Sequence, residues 1–239
     1  MNDPSMRAYR LVETKKVLGI FPPQGRTIYE DSLSSIPAGS NSGSVPDENE
    51  SMRIALGWIS KLGISTNDLA HVAGSGRLRV YHSPSTVSRF DSASKSLVKE
   101  VRHRSLGFVR RVNGVDFTGI GASGGVWIEV GRGGTISNMD VIWPALEPQT
   151  TNAVADSATI MAYLRQGKAR FPDLQDPKLA SQLASASNIT ILDVVPYYHG
   201  GDGEEPEQTV SPFASIRISF AAGGETKELA LMCPILKEE

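Results

Sequence analysis

Residues 119–125 read GIGASGG and carry two overlapping patterns that would mean chemistry if the chain around them folds accordingly. Gly121-Ala122-Ser123-Gly124-Gly125 matches GxSxG, in which a strand-to-helix turn lifts the serine hydroxyl to the edge of a sheet. Asp193 and His199 lie downstream in the hydrolase order Ser, Asp, His, so Ser123 is the candidate nucleophile, His199 the base and Asp193 its orienter. Gly119-Ile120-Gly121-Ala122-Ser123-Gly124 matches GxGxxG, the loop that holds a pyrophosphate when a strand precedes it and a helix follows. Both patterns need that helix. The residues that follow are VWIEV, which have strand character, and no βαβ unit surrounds the loop. Turn glycines between strands are the simpler reading, so no catalytic residue and no nucleotide cofactor is expected.

The remaining chemistry-bearing residues are dispersed. His71, His82, His103 and His199 form no HxH or HxxxH pair, and the single Cys233 cannot build a disulfide or a cysteine zinc site. Asp202, Glu204, Glu205 and Glu207 sit in HGGDGEEPEQ but lack the DxDxDG spacing of a calcium loop, so a solvated loop is expected and no metal. Residues 77–111 hold nine Lys/Arg against Asp91 and Glu100, while residues 193–239 hold nine acids against three bases. If 102–111 (RHRSLGFVRR) is a strand, alternation divides its arginines between two faces, which argues against a continuous phosphate-binding patch. The net charge of −2 gives no overall preference for nucleic acid or membrane. No run approaches the roughly 18 apolar residues of a membrane span. The N-terminus MNDPSMRAYRLVETKK lacks a signal peptide's apolar core, as a trimmed chain would.

The elements that must position these residues follow from periodicity. With 239 residues and 40% hydrophobic content, one large domain or two small ones can fill a core. Residues 1–50 read as an irregular segment and linker, with a short strand at 17–21 that Pro22-Pro23 ends and a Ser/Gly/Pro-rich loop at 32–49. Met52, Ala55, Leu56, Ile59 and Leu62 share one helical face, Asp47, Asn49 or Ser51 can cap it, and Trp58 flanks the stripe. Leu78 and Val80 begin a strand that Ser83-Pro84-Ser85 breaks. Strands at 97–104 and 108–112 follow, the latter turning at Asn113-Gly114, a strong hairpin signal. Further strands are expected at 126–130 and 136–143. In the second half, Asp156 caps a helix bearing Ile160, Met161 and Leu164, and Asp176-Pro177 opens another with Leu179 and Leu183. Strands at 189–198, 213–221 and 225–232 close the chain.

With that layout in hand, residues 108–146 resemble the PepSY type of module, found in peptidase propeptides and in extracytoplasmic regulators such as the YycH and YycI proteins. Arg110, Asn113-Gly114-Val115, Gly133-Gly134-Thr135-Ile136 and Trp143 stand at comparable places. The second half is similar to the end of the YycI type through Gly167-Lys168, the strand at 189–198, Val210-Ser211-Pro212 and Pro234-Ile235-Leu236. Asp116 departs from the proline often found in the return strand. The resemblance implies a non-enzymatic regulatory domain that docks on a protein partner in an exported compartment.

The resulting expectation is an α+β protein of two similar units, each a helix packed on an antiparallel sheet of cystatin/PepSY-like kind, at 51–148 and 149–239. Its function would be binding an unknown protein partner, with no cofactor, no metal, no nucleic acid and no membrane insertion. The alternatives are a serine hydrolase using Ser123, and a structural domain of a larger envelope or secreted protein.

Overall fold

The computed structural model describes residues 7–11, 16–22, 25–31, 43–118, 124–147, 155–166, 181–183, 185–186, 188–199, 210 and 212–235. It divides into two units, Met1–Ala145 and Leu146–Gly200 with Gln208–Glu239.

The first unit contains eight strands: β1 (Arg7–Leu11), β2 (Lys16–Phe21), β3 (Arg26–Asp31), β4 (Val80–Asp91), β5 (Ser96–Val112), β6 (Val115–Thr118), β7 (Gly125–Val130) and β8 (Ile136–Ile142). They pair in the order β1-β2-β3-β8-β7-β5, with β4 and β6 each pairing with a different stretch of β5, and every described pairing is antiparallel. Helix α1 (Glu48–Lys61) begins where the Asp47 carboxylate accepts a 2.9 Å hydrogen bond from the Glu50 amide, supplying one of the partners a helix N-terminus lacks. Its buried Ala55 and Ile59 pack on Leu106, Phe108, Val126, Ile128, Val130, Met139 and Val141, the inward residues of β5, β7 and β8. Those residues alternate along their strands, which is why one face of the sheet is apolar and the other polar.

The second unit contains α2 (Ser157–Arg165) and a meander of β9 (Ile189–His199), β10 (Pro212–Ala222) and β11 (Glu225–Pro234). Asp156 caps α2 through the Thr159 amide at 2.8 Å. Ile160, Tyr163 and Leu164 meet Ala214, Ile216, Ile218, Phe220, Leu231 and Cys233 in a separate core, to which Leu183 also belongs.

The expectation of two similar units, each a helix on a sheet, is overturned: the chain is mostly strand. Among the described residues one unit has eight strands and the other three, so they are not copies of one design. Three strands of the larger sheet come from the first fifty residues: the expected short strand at 17–21 is β2, while β1 and β3 fall in the segment read from the sequence as irregular. Arg7, Tyr9, Ile28 and Tyr29 sit among too many charges for the pattern to show, and the pairing of β1 with β2 and of β3 with β2 and β8 overrides weak local preference. The proline at position 84 does not break its strand either. β4 has β5 as its partner, and an edge strand tolerates a residue with no N–H. A register shift between Ser85 and Thr86 follows at once. The two expected strands at 97–104 and 108–112 are one continuous 17-residue strand, β5. Asn113 (φ 50°) and Gly114 (φ 80°) make the expected tight hairpin between β5 and β6. Of the helix expected from Asp176-Pro177, residues 181–183 and 185 are described and helical, while its opening and the acidic loop at 200–208 lie outside the described residues.

Candidate binding surfaces

The residues proposed for catalysis are placed as follows. Ser123 lies outside the described residues. Directly after it come Gly124 and strand β7, so the described chain supplies a strand where a nucleophile elbow or a dinucleotide loop needs a helix. The glycines have a packing reason. Gly124 has φ +93° and a side chain there would meet the Phe117 ring at 2.1 Å, while a Cβ on Gly125 would lie 2.3 Å from the Phe108 carbonyl oxygen. Asp193 is exposed on β9, opposite Arg217 of β10. His199 closes β9, and its side chain is outside the description. Among the described residues no cluster of three His, Cys, Asp or Glu could hold a metal ion, and no helix is long and apolar enough to cross a membrane.

Much of the basic stretch at 77–111 is used inside the first unit. Arg79 and Arg111 both face Asp116. Arg104 donates to the Pro46 carbonyl oxygen at 2.8 Å. Arg110 donates to the Pro144 carbonyl oxygen at 2.7 Å with its guanidinium 4.6 Å from the Trp143 ring centre, and burial pushes its pKa down. The stretch is therefore structural over about half its length.

Among the described residues of the first unit, two surfaces stand out as having no evident structural use. The first is the outer part of the β4–β5 hairpin. Residues 86–91 pair with 96–101, and in the described pairings these residues pair with nothing else. This two-stranded ribbon is exposed on both faces. Phe90 and Leu97 stand directly opposite each other with 62% and 73% of their surface in solvent, and Val87 and Val98 are exposed on the other face. Such a ribbon buries almost nothing of its own, and isolated hairpins are marginal in water. Its exposed charges are Arg89, Lys95 and Lys99, with Asp91 turned into the tip, where it accepts from the Ala93 amide and the Ser94 hydroxyl. At the base of the ribbon Glu100 pairs with Arg132, which ties the arm to the sheet.

The second surface is the sheet face turned away from α1. One cross-strand row runs Tyr81 (β4), Gly107 (β5), Trp127 (β7), Asp140 (β8) and Ile28 (β3). Gly107 has no side chain, and the Trp127 ring fills that place: a Cβ at 107 would lie 2.6 Å from Cζ3 of the indole and 3.4 Å from Cβ of Tyr81. The indole is thus laid across β5 toward Tyr81, and the two aromatic residues keep 36% and 55% of their surface in solvent. Arg26 grips Asp140 with two hydrogen bonds of 3.0 and 2.7 Å. One row away His103 Nε2 lies 3.7 Å from Glu129 Oε1. Sequence alternation places residues 127, 129 and 140 on the polar face, but the row itself depends on register between four distant segments, which local pattern does not reveal.

No family model matches the chain, and no curated protein matches it. A solved structure of an uncharacterized protein from Eubacterium rectale ATCC 33656, at 1.45 Å resolution, is similar at 12% identity with a TM-score of 0.45, covering 97% of this chain and 74% of that one. A likeness at this level carries no argument, and the functional reading rests on the molecule's own surfaces.

Proposed function

We propose that the chain is a non-enzymatic protein-binding or regulatory module that engages a protein partner in an exported compartment. The observation that supports this reading is the β4–β5 ribbon, whose Phe90 and Leu97 are displayed rather than packed. Exposed apolar residues gathered on a projecting element mark interaction sites more often than singly scattered ones do. The surrounding Arg89, Lys95 and Lys99 favour a partner that is acidic around an apolar recess, because complementary charge speeds encounter and penalises wrong partners.

The test is site-specific photocrosslinking from positions 90 and 97 in the source cell, with position 58 on α1 as control. A discrete adduct from the ribbon positions, lost in Phe90→Ser/Leu97→Ser and weakened by salt, is the expected result. Absence of any ribbon-specific adduct removes the support. Labelling by a fluorophosphonate probe that disappears in Ser123→Ala overturns the non-enzymatic reading outright. Fractionation of the same cells checks the compartment.

A further inference from the structure

We propose that the Tyr81–Trp127 face of the first sheet is a carbohydrate site that takes a neutral pyranose chain. The site is independent of the ribbon. The polar C–H groups on one face of a pyranose ring stack on the electron-rich face of an aromatic ring, and this needs a ring held flat with its outer side open. The glycine at 107 makes room for such a ring, since the Cε3–Cζ3 edge of the indole occupies the space a side chain would take, and Trp127 keeps 36% of its surface in solvent. Tyr81, two strands over, offers a second ring in the same row. Because the indole reaches over β5, it stands one strand spacing, about 4.8 Å, from β4 and Tyr81, so the two aromatics line one strip along which a sugar chain can lie.

Sugar binding also needs paired hydrogen-bonding groups that are already oriented, because hydroxyls make their bonds in adjacent donor–acceptor sets. Asp140 is the direct neighbour of Trp127 on β8 and is fixed by Arg26 through both oxygens, leaving lone pairs on an immobilised carboxylate beside the ring. Glu129 and His103 provide a second carboxylate–imidazole pair on the same face. Charge decides between ligand classes. The Arg26 and Asp140 charges cancel and Glu129 adds a negative one, so the face has no cationic surplus with which to hold phosphates. A nucleic acid would be repelled where it ought to be neutralised, whereas a neutral polyhydroxylated chain meets no such penalty.

The experiment is native affinity electrophoresis of the full chain through gels containing soluble cellulose ether, xylan, glucomannan, mixed-linkage β-glucan, β-1,3-glucan or starch. At least one of these is expected to retard the wild type. Trp127→Ala should weaken that retardation about tenfold, the loss of one stacked ring, and Trp127→Phe should restore part of it. Because Trp127 also covers Gly107, Tyr81→Ser serves as the second variant. Its side chain is mostly exposed, and it should weaken binding about threefold with an unchanged melting temperature. Trp58→Phe, on α1 beneath Lys61, should change nothing. Unchanged mobility in every gel overturns the proposal, as does retardation that survives both Trp127→Ala and Tyr81→Ser. Preferential retention by polyuridylate would replace it with a nucleic-acid site.

Discussion

At the scale of single residues, the molecule separates positions that look alike in the sequence. Gly125 and Gly107 both lie in strands, yet what a methyl group would meet differs. At 125 it meets a backbone oxygen that cannot move without breaking the β5–β7 pairing; at 107 it meets a side chain that can swing away. Gly125→Ala should therefore lower unfolding stability by about 2–3 kcal/mol in urea denaturation. Tyr197 makes the opposite case. Its hydroxyl is buried without a hydrogen-bond partner while its ring stacks on Phe213, and burial lifts its pKa to about 12. A phenol whose folded pKa lies above its unfolded value of 10.0 holds its proton better in the native state, so stability is undiminished below about pH 10 and falls as pH rises toward 12. Tyr197→Phe should flatten that alkaline decline and leave neutral-pH stability unchanged or raised by up to about 1 kcal/mol, since it removes an unpaired polar atom. Denaturation curves at pH 7, 10 and 11 check both halves.

At the scale of elements, α1 shows which features the sequence made plain. The Met52–Leu62 stripe and the Asp47 cap are local, and the helix forms there with Asp47 in the capping role. Asp47→Ala should cost about 1 kcal/mol and Asp47→Asn much less, by thermal unfolding, because asparagine can still accept from the Glu50 amide. Leu62, expected on the buried stripe, is instead partly exposed at the helix end. Strands were legible where alternation was clean, as in residues 126–130, and where a turn was dictated by Asn113-Gly114. Three things were not legible. β1 and β3 flank the one early strand that could be read, and β3 gains its second partner more than a hundred residues away at β8, a cost and a reward that no local window contains. The ribbon has no period to read, because both its faces are exposed and neither selects for apolar residues. The Tyr81–Gly107–Trp127 row exists through register alone, so the only hint in the sequence was a lone glycine between apolar strand residues.

At the scale of the whole molecule, the chain's near-neutral charge conceals a division of labour. The arginines nearest the first core are spent on Asp116, Pro46, Pro144 and Trp143, and those on the projecting hairpin face solvent. Each unit keeps its own core, Ile59 with Ile128 in one and Ile216 with Leu231 in the other, and the core under α1 takes in residues of β5, β7 and β8 but none of the outer β4–β5 ribbon. That leaves a long β4 whose outer apolar residues are already extended and already solvated. Strands of this kind are templates for copies of themselves, and chains that display them precipitate or grow into fibres. Pro84 and the register shift after Ser85 interrupt the row of N–H groups that a second chain would need, and Arg89 adds like-charge repulsion farther out. Pro84→Val, which restores a donor without disturbing the core, should leave the monomer's fold intact yet shorten the lag before light scattering rises at elevated temperature and increase thioflavin binding. On this reasoning, a residue that reads as a strand breaker is expected to act against the pairing of this edge with a second copy of itself.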